Sequence, residues 1–268
     1  MSKKRAVMNE MKSQDRVNHE AAEMMDDEPS PGFVVERRFF VRAAPIAIAA
    51  LALGLTERVS AASRERLMES ASLDFEEFIK ECATLAKQAI ADSSLNEEAH
   101  IFRLSLAASR LALKAVPKAK LGQFAGLTPP VEFGPLHIAA PLAIIQWRLA
   151  PGATLPAHNH TPADIISLCT EGECAIRHFD IVGDAPEYSS RETFLIRETR
   201  NDLLTPGRVS SLSTNRDNIH TFQAGKEGAW GIDINSILPG NKKFSFLEFA
   251  DKPRDPQKRI YEAVWKKM

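Results

Sequence analysis

The chain has 268 residues, 44% of them hydrophobic, and a formal net charge of −1. This length and apolar content allow one medium-sized domain with an appendage to bury its own core. The basic residues are scattered, with only short runs such as Lys242–Lys243 and Lys266–Lys267. Because this pattern offers no extended positive surface to a polyanion, we expect no nucleic-acid partner.

Residues 1–62 have the composition of a targeting segment rather than of a folded domain. A polar tract, expected to be disordered, precedes Arg37–Arg38 and the aromatic residues that follow them, which together are close to the twin-arginine pattern. The apolar run Ala43–Leu55 is shorter than the roughly 20 residues that span a bilayer. A small-residue cleavage site follows at Ala61 or Ala62.

This segment predicts export to the periplasm by the twin-arginine translocation machinery, with no stable membrane span after the signal is cleaved. The alternative is that the apolar run forms a buried helix of the mature domain. In that case the signal is not functional and the protein stays in the cytoplasm.

Residues 63–118 are predicted to form a helical region that packs on the rest of the domain. Apolar residues recur at spacings of three and four positions over 73–85, and either Asp74 or Ser72 can cap this first helix. A helix of this kind presents one apolar face, which must be buried against a neighbouring element.

The second helix is predicted to begin at Ser94 or Asn96, where two glutamates follow and favour the positive end of the helix dipole. His100 falls within it. Since no partner of suitable chemistry occurs one turn away, we expect His100 to be a surface or packing residue rather than a ligand. The same expectation holds for His137 and His178.

Residues 119–250 are rich in proline and glycine and contain short runs typical of strands. The turn signals recur at spacings that suit a barrel or a sandwich better than a parallel sheet, so the fold is predicted to be mostly β with the helices outside. Residues 251–268 are expected to be a C-terminal extension. The candidate strands are 142–149, 164–170, 173–181, 208–212, 219–223 and 228–238.

A two-residue hairpin loop is predicted at Glu171–Gly172, which would pair Cys169 with Cys174 across two strands. By strand alternation these cysteines would point away from the face that carries the histidines described next. In an oxidising compartment they form either a cross-strand disulfide or two reduced, half-buried thiols. Cys82 stays unpaired in both cases.

Three histidines form the candidate metal site. His158 and His160 are two residues apart in a strand-like run, so their side chains share one face, and Asp164 keeps the same parity. His220 lies in a second strand-like run beyond the turn at Pro206–Gly207. Barrel closure can bring these imidazoles to one ion.

The order of a glycine turn, His-x-His, an acid four residues later and a late histidine resembles the two motifs of the cupin superfamily, over about residues 130–240. This resemblance implies a double-stranded β-helix, a jelly-roll-like barrel with a metal in its mouth. Asn218, Ile219 and His220, followed by Asp233, resemble more narrowly the cupin thiol dioxygenases, the cysteine dioxygenase, cysteamine dioxygenase and plant cysteine oxidase group.

The thiol dioxygenase resemblance implies that His158, His160 and His220 hold Fe²⁺ and that Asp233 lies beside the metal pocket. It implies a small thiol and dioxygen as the substrates and a sulfinic acid as the product. The chain departs from the pattern at Ile165, where cysteine dioxygenases often carry a cross-linked cysteine.

Asp164 and Arg177 leave alternatives open. Asp164 sits where ordinary cupins place a carboxylate ligand, which would favour a Mn²⁺ or Ni²⁺ enzyme. Arg177 is predicted to face the barrel interior, where it needs an anionic partner: a substrate carboxylate, Asp164 or Asp233, or else a purely structural ion pair. A periplasmic cupin that binds a metal or small ligand without turnover is the non-enzymatic alternative.

Overall fold

The computed structural model describes residues 72–92, 96–124, 126–160, 162–240 and 244–266. The tail and signal segment predicted for residues 1–62 lie outside these ranges. Within them, the helices are too short or too polar to cross a membrane.

Two helices precede the sheet. Helix α1 spans Phe75–Ala91 and helix α2 spans Glu97–Arg110. Asp74 forms a capping box with Glu77 at the start of α1, and the side chain of Asn96 accepts a hydrogen bond from the backbone of α2. The predicted helices and one of the two caps proposed for each are therefore confirmed.

The strands form one antiparallel sheet that closes on itself. Their order is β1-β2-β3-β8-β4-β9-β10-β6-β5-β7, and an additional pairing of β8 with β5 completes the closure. The strands are β1 Gly122–Gln123, β2 Val131–Ala139, β3 Leu142–Leu149, β4 Thr154–Asn159, β5 Ala163–Val182, β6 Phe194–Leu204, β7 Val209–Leu212, β8 Ile219–Ile237, β9 Ser245–Phe249 and β10 Ile260–Trp265.

Two long strands give the barrel its shape. β5 has 20 residues and β8 has 19, and they pair along nearly their whole lengths. The first half of β5 also pairs with β7, whereas its second half pairs with β6. Each half of β8 likewise has its own second neighbour, β4 or β3. The predicted mostly-β double-stranded β-helix with N-terminal helices is confirmed.

The hairpin predicted at Glu171–Gly172 is wrong. β5 continues through these residues, and its pairing with β8 is interrupted only by register shifts on either side of Gly172. Gly172 has φ of 68°, and an added Cβ would lie 2.1 Å from the carbonyl oxygen of Gly228. This bulge lets the strand bend without reversing, because glycine tolerates both the positive φ and the close approach.

The face predicted for the cysteines is also wrong. Cys169 and Cys174 share one face, as predicted, but both pack in the interior cluster that contains Phe222 and Phe246, because parity counted from the histidines does not carry across the break between β4 and β5. Cys82, Cys169 and Cys174 are all free thiols. Of the two alternatives for the pair, the structure contains the reduced one, with both cysteines fully buried rather than half-buried.

The core has a layer on each side of the barrel wall. The apolar faces of α1 and α2 pack on outward-facing residues of β3, β5 and β8, for example Ile144, Ile166 and Ile234. Another apolar cluster lies where β9 and β10 meet β6 and the second half of β5. β10 pairs with β6 and β9, so the expected C-terminal extension contributes a strand to the sheet.

Candidate metal centre

The backbone register brings the three predicted histidines together. His158 on β4 and His220 on β8 are direct cross-strand partners. His160 lies one residue beyond the end of β4, and its N–H donates to the Oδ1 of Asn218 at 3.4 Å. Asn218 in turn donates to the backbone carbonyl of Ser213 at 2.9 Å. Asn218, the asparagine of the predicted motif, thus connects the segment that carries His160 to the loop that precedes His220 on β8.

The imidazole nitrogens converge on one point. The Nε2 atom of His220 lies 3.0 Å from the Nε2 of His160 and 3.1 Å from the Nε2 of His158. One ligand atom from each of the three residues lies within 4.8 Å of the other two, and this is the one such group of three or more among the described residues. Ligand nitrogens at about 2.1 Å from a shared ion are separated by roughly 3 Å, so the spacing fits a metal.

Protonation also fits a metal. Nδ1 of His158 lies 2.8 Å from the carbonyl oxygen of Pro156 and donates to it, which leaves the Nε2 lone pair free. Burial lowers the pKa of His158 to about 4. Burial and the neighbouring histidines hold the pKa values of His160 and His220 well below the ordinary range. All three imidazoles are therefore neutral at pH 7.

Phenylalanine rings surround the histidines. Phe244 and Phe246 lie with ring centroids 5.4 and 5.5 Å from that of His158, and the ring of Phe222 lies 4.6 Å from that of His220. These rings limit the access of water and leave the charge of a bound cation poorly solvated. An anionic ligand is favoured in such a pocket.

Asp164 is not brought to the histidines, which corrects the prediction of a fourth ligand. Its carboxylate is buried against helix α2, with Oδ2 lying 4.0 Å from Nε2 of His100. The parity argument failed because β4 ends at Asn159 and β5 begins at Ala163. Residues between two strands do not preserve the alternation of either one.

Arg177 lies on the face of β5 opposite to that of His178 and therefore away from the metal ligands. Its guanidinium pairs with Glu198 at 2.5 and 3.1 Å and lies over the rings of Phe179, Phe249 and Tyr261. The face was mispredicted because the parity count from the histidines fails at the break between β4 and β5. The structural ion pair is the alternative that the structure contains, with a partner that was not among those proposed.

Asp233 lies inside the barrel but at a distance from the metal ligands. Its Oδ1 accepts a hydrogen bond from Nε1 of Trp147 at 3.0 Å, and Ser167 is its other hydrogen-bond partner. Trp147 packs on Phe222, which packs on His220, so two aromatic rings separate Asp233 from the nearest ligand. Burial raises the pKa of Asp233 to about 6.

His178 is a neighbour of the site that the sequence did not reveal. It is the cross-strand partner of His220, and the two ring centroids are 5.7 Å apart. Its Nε2 lies 2.8 Å from Oγ of Ser210, which also accepts from Arg200 at 3.3 Å. Burial, with the charge of Arg200, lowers the pKa of His178 to about 3. Only the register of β5 against β8 brings His178 here, and no spacing along the chain encodes it.

Comparison with known proteins gives matches in structure alone. No family model and no curated protein matches the chain. The chain is similar to KdgF from Halomonas sp., at 15% identity over 42% of this chain and 84% of the other, with a TM-score of 0.30. It is similar to a cupin superfamily protein from Desulfitobacterium hafniense DCB-2, at 20% identity over 40% and 77%, TM-score 0.29. It is also similar to an oxalate oxidase solved in complex with glycolate, at 16% identity over 50% and 64%, TM-score 0.35. Cupin-superfamily proteins are thus among its structural neighbours.

Proposed function

We propose that the protein is a non-haem iron thiol dioxygenase that converts a small thiol and dioxygen into a sulfinic acid. One observation carries the proposal: three neutral imidazoles direct Nε2 atoms to one point, and the ligand group contains no carboxylate among the described residues. Both atoms of dioxygen enter the product, since RSH and O₂ together have the composition of RSO₂H.

The residues of the pocket suit this reaction. Bound Fe²⁺ would supply the electrons for dioxygen and the charge that lowers the pKa of the substrate thiol. Neutral histidines leave that charge uncompensated, so the pocket attracts an anion such as a thiolate. Phe244 and Phe246 exclude water from the same space, and the Pro156 carbonyl holds the ring of His158 in place.

The test combines metal content with oxygen uptake. Wild-type protein would be assayed with cysteine, cysteamine and 3-mercaptopropionate beside His158→Ala, His160→Ala and His220→Ala. The matched control is His137→Ala, which removes a half-buried imidazole from β2. We expect iron and thiol-dependent oxygen uptake in the wild type and the control, and the loss of both in the three ligand variants.

Two results would replace the proposal with another function. Manganese or nickel with no response to thiols would favour a different cupin enzyme. Binding of a small ligand without turnover, whichever metal is present, would favour a binding module.

We also propose that residues 1–62 direct export by the twin-arginine route. This route carries folded proteins, so the site could take up iron in the cytoplasm rather than the metals that bind most tightly outside. Cell fractionation of wild type and of the Arg37→Lys, Arg38→Lys double variant tests it. The wild type should be periplasmic and shortened near Ala62, whereas the variant should remain in the cytoplasm at full length.

A further inference from the structure

Two carboxyl groups meet where helix α2 packs on the barrel. Glu97 is the first residue of α2, and Asp164 is the second residue of β5. Asp164 is only 1% exposed, and its side chain is a hydrogen-bond partner of Glu97. This contact is separate from the metal centre, since Asp164 faces the helices.

Each of the two groups has one buried oxygen without a hydrogen-bond partner. Oδ1 of Asp164 and Oε1 of Glu97 are buried, and neither has a hydrogen-bond donor among the described residues. An ionised carboxylate only accepts hydrogen bonds, so two ionised groups in this position would repel each other. The contact is favourable when one of them carries a proton.

The surroundings indicate which group carries the proton. Nδ2 of Asn215 donates to Oε2 of Glu97 at 2.7 Å, and Ser213 also hydrogen-bonds to Glu97. Asp164 has no comparable donor in the part of the chain that the structure describes: the nearby Nε2 of His100 is 4.0 Å away and is engaged with Oγ of Ser236 at 2.9 Å. The charge therefore belongs on Glu97 and the proton on Asp164.

The other charged groups near this contact come from α1, from α2 and from the loop before β8. Arg216, from the loop before β8, pairs with Glu98 and Asp217 at 2.5 and 3.0 Å. Arg103 of α2 lies near His100. Asp92, at the end of α1, lines a cavity of about 220 Å³ together with Glu97 and His100. Of these groups, Arg216 favours the ionised form of Asp164, whereas Glu98 opposes it.

We propose that one proton shared between Asp164 and Glu97 fastens α2 to the barrel, and that loss of this proton as pH rises loosens the helices from the sheet. The shared proton acts only at the contact between α2 and the barrel. It makes the attachment of the helical region sensitive to pH without any change in the metal ligands.

The direction of the effect follows from the two carboxyl groups. Burial, with the charge of Glu97, raises the pKa of Asp164 to about 8. Asn215 and Ser213 lower the pKa of Glu97. A raised carboxyl pKa stabilises the fold below the unfolded value, and the stability is lost as pH rises to the folded value. The loss from Asp164 therefore extends up to about pH 8 and levels off above it.

The contribution of Asp164 to the pH dependence of stability can be measured between about pH 7 and pH 8, where the other titrating groups contribute little. Asp233 has its raised pKa at about 6, so its contribution is complete below this interval. The buried histidines have lowered pKa values, and their contribution is level once the unfolded imidazole is neutral. Burial raises the pKa values of the cysteine thiols, which affects stability only at higher pH.

The experiment measures unfolding in urea across this interval. For wild type, the unfolding equilibrium constant should rise with pH, by at most about tenfold per pH unit for one proton. Asp164→Asn keeps a hydrogen-bond donor toward Glu97 and cannot ionise, so this rise should disappear. Glu97→Gln removes the neighbouring charge, so the rise should move to lower pH. Glu81→Gln, a change of the same type at the part-buried ion pair between Glu81 of α1 and Arg110 of α2, should show the same pH dependence as wild type.

Two outcomes would overturn the proposal. One is a wild-type rise that persists unchanged in Asp164→Asn. The other is a stabilisation of wild type, but not of Asp164→Asn, by Ca²⁺ or Mg²⁺ that is reversed by a chelator, since the pair would then bind a cation rather than a proton. If both variants fail to fold, hydrogen exchange of the α2 amides in wild type, corrected for intrinsic rates, gives the same answer: protection must decrease across the interval.

Discussion

A histidine serves as a ligand only when the lone pair of the correct nitrogen is free. His158 meets this condition through its own chain, because Nδ1 donates to the carbonyl oxygen of Pro156, two residues earlier. His220 has no such partner for Nδ1 among the described residues. The early ligand is therefore oriented before any metal binds, whereas the late one is held by packing against Phe222.

The first prediction separates the two possible roles of Asp164. Asp164→Ala should leave metal content unchanged because the carboxylate faces α2, whereas His220→Ala should lower metal affinity by more than the roughly 10- to 100-fold typical of a supporting residue. Elemental analysis of both purified variants checks this. Loss of metal from Asp164→Ala, in protein that is still folded, would restore the carboxylate as a ligand.

Sequence spacing was a good guide to the histidines and a poor one to the acids and the arginine. His158 and His160 are close enough in sequence for strand alternation to hold, and His220 was identified as part of the motif Asn218-Ile219-His220. Asp164 and Arg177 both lie beyond the break between β4 and β5, where the alternation counted from His158 no longer holds. Their positions depend on where one strand ends and the next begins, which no periodic pattern contains.

At the level of the element, the bulge in β5 decides which side chains enter the barrel. Gly172 and Gly228 both have positive φ and approach each other closely. Residues before the bulge present odd positions such as Cys169 to the interior, whereas residues after it present even positions such as Cys174 and His178. One glycine thus sets the neighbours of the metal centre.

The second prediction concerns this glycine. Gly172→Ala would place a Cβ 2.1 Å from backbone at Gly228, so we expect destabilisation by about 3 kcal/mol or more from strain and overpacking. Gly183→Ala is the control, because Gly183 also has positive φ but open space around it, and it should cost only about 1 kcal/mol. Urea unfolding of the two variants measures the difference. Equal costs would mean that the contact with Gly228 relaxes freely.

Helices and strands differed in how far the sequence could predict them. Helix caps are local, so Asp74 and Asn96 were found from neighbouring residues alone. β3 was predicted with its observed bounds, Leu142–Leu149. β5 and β8 were each split in two, and five strands were missed, because strand partners and bulges depend on contacts far apart in sequence. The missed strands are β1, β2, β6, β9 and β10.

For the whole molecule, the C-terminal strand completes the layer that covers the second half of β5. Trp265 on β10 is buried, donates through Nε1 to the carbonyl of Pro186 at 2.9 Å, and packs on the rings of Tyr188 and Phe194. Residues near the end of the chain therefore contribute to the same core as residues of β6. Barrel stability depends on the chain being folded to its last strand.

The third prediction tests this dependence. Trp265→Ala should cost about 3–5 kcal/mol, the usual range for a buried tryptophan. Trp230→Ala is the matched control, since Trp230 is only half-buried and contacts Lys118 and Arg148 at the surface, and its removal should cost clearly less. Calorimetry of both variants gives the comparison. A small loss for Trp265→Ala would show that β10 is dispensable.

The last prediction concerns the coupling of metal to the fold. The ligands bridge β4 and β8 at a position where the backbone already pairs His158 with His220, so a bound ion links the two strands in the folded state only. A ligand present at about 100 times its Kd stabilises the folded state by about 2.7 kcal/mol, which corresponds to a Tm increase of roughly 5–10 °C for a domain of this size. Thermal unfolding with and without Fe²⁺ under anaerobic conditions should show this increase in wild type and in His137→Ala, and none in His220→Ala. An equal increase in His220→Ala would place the binding site elsewhere, because the three Nε2 atoms are the donors that the geometry brings to one point.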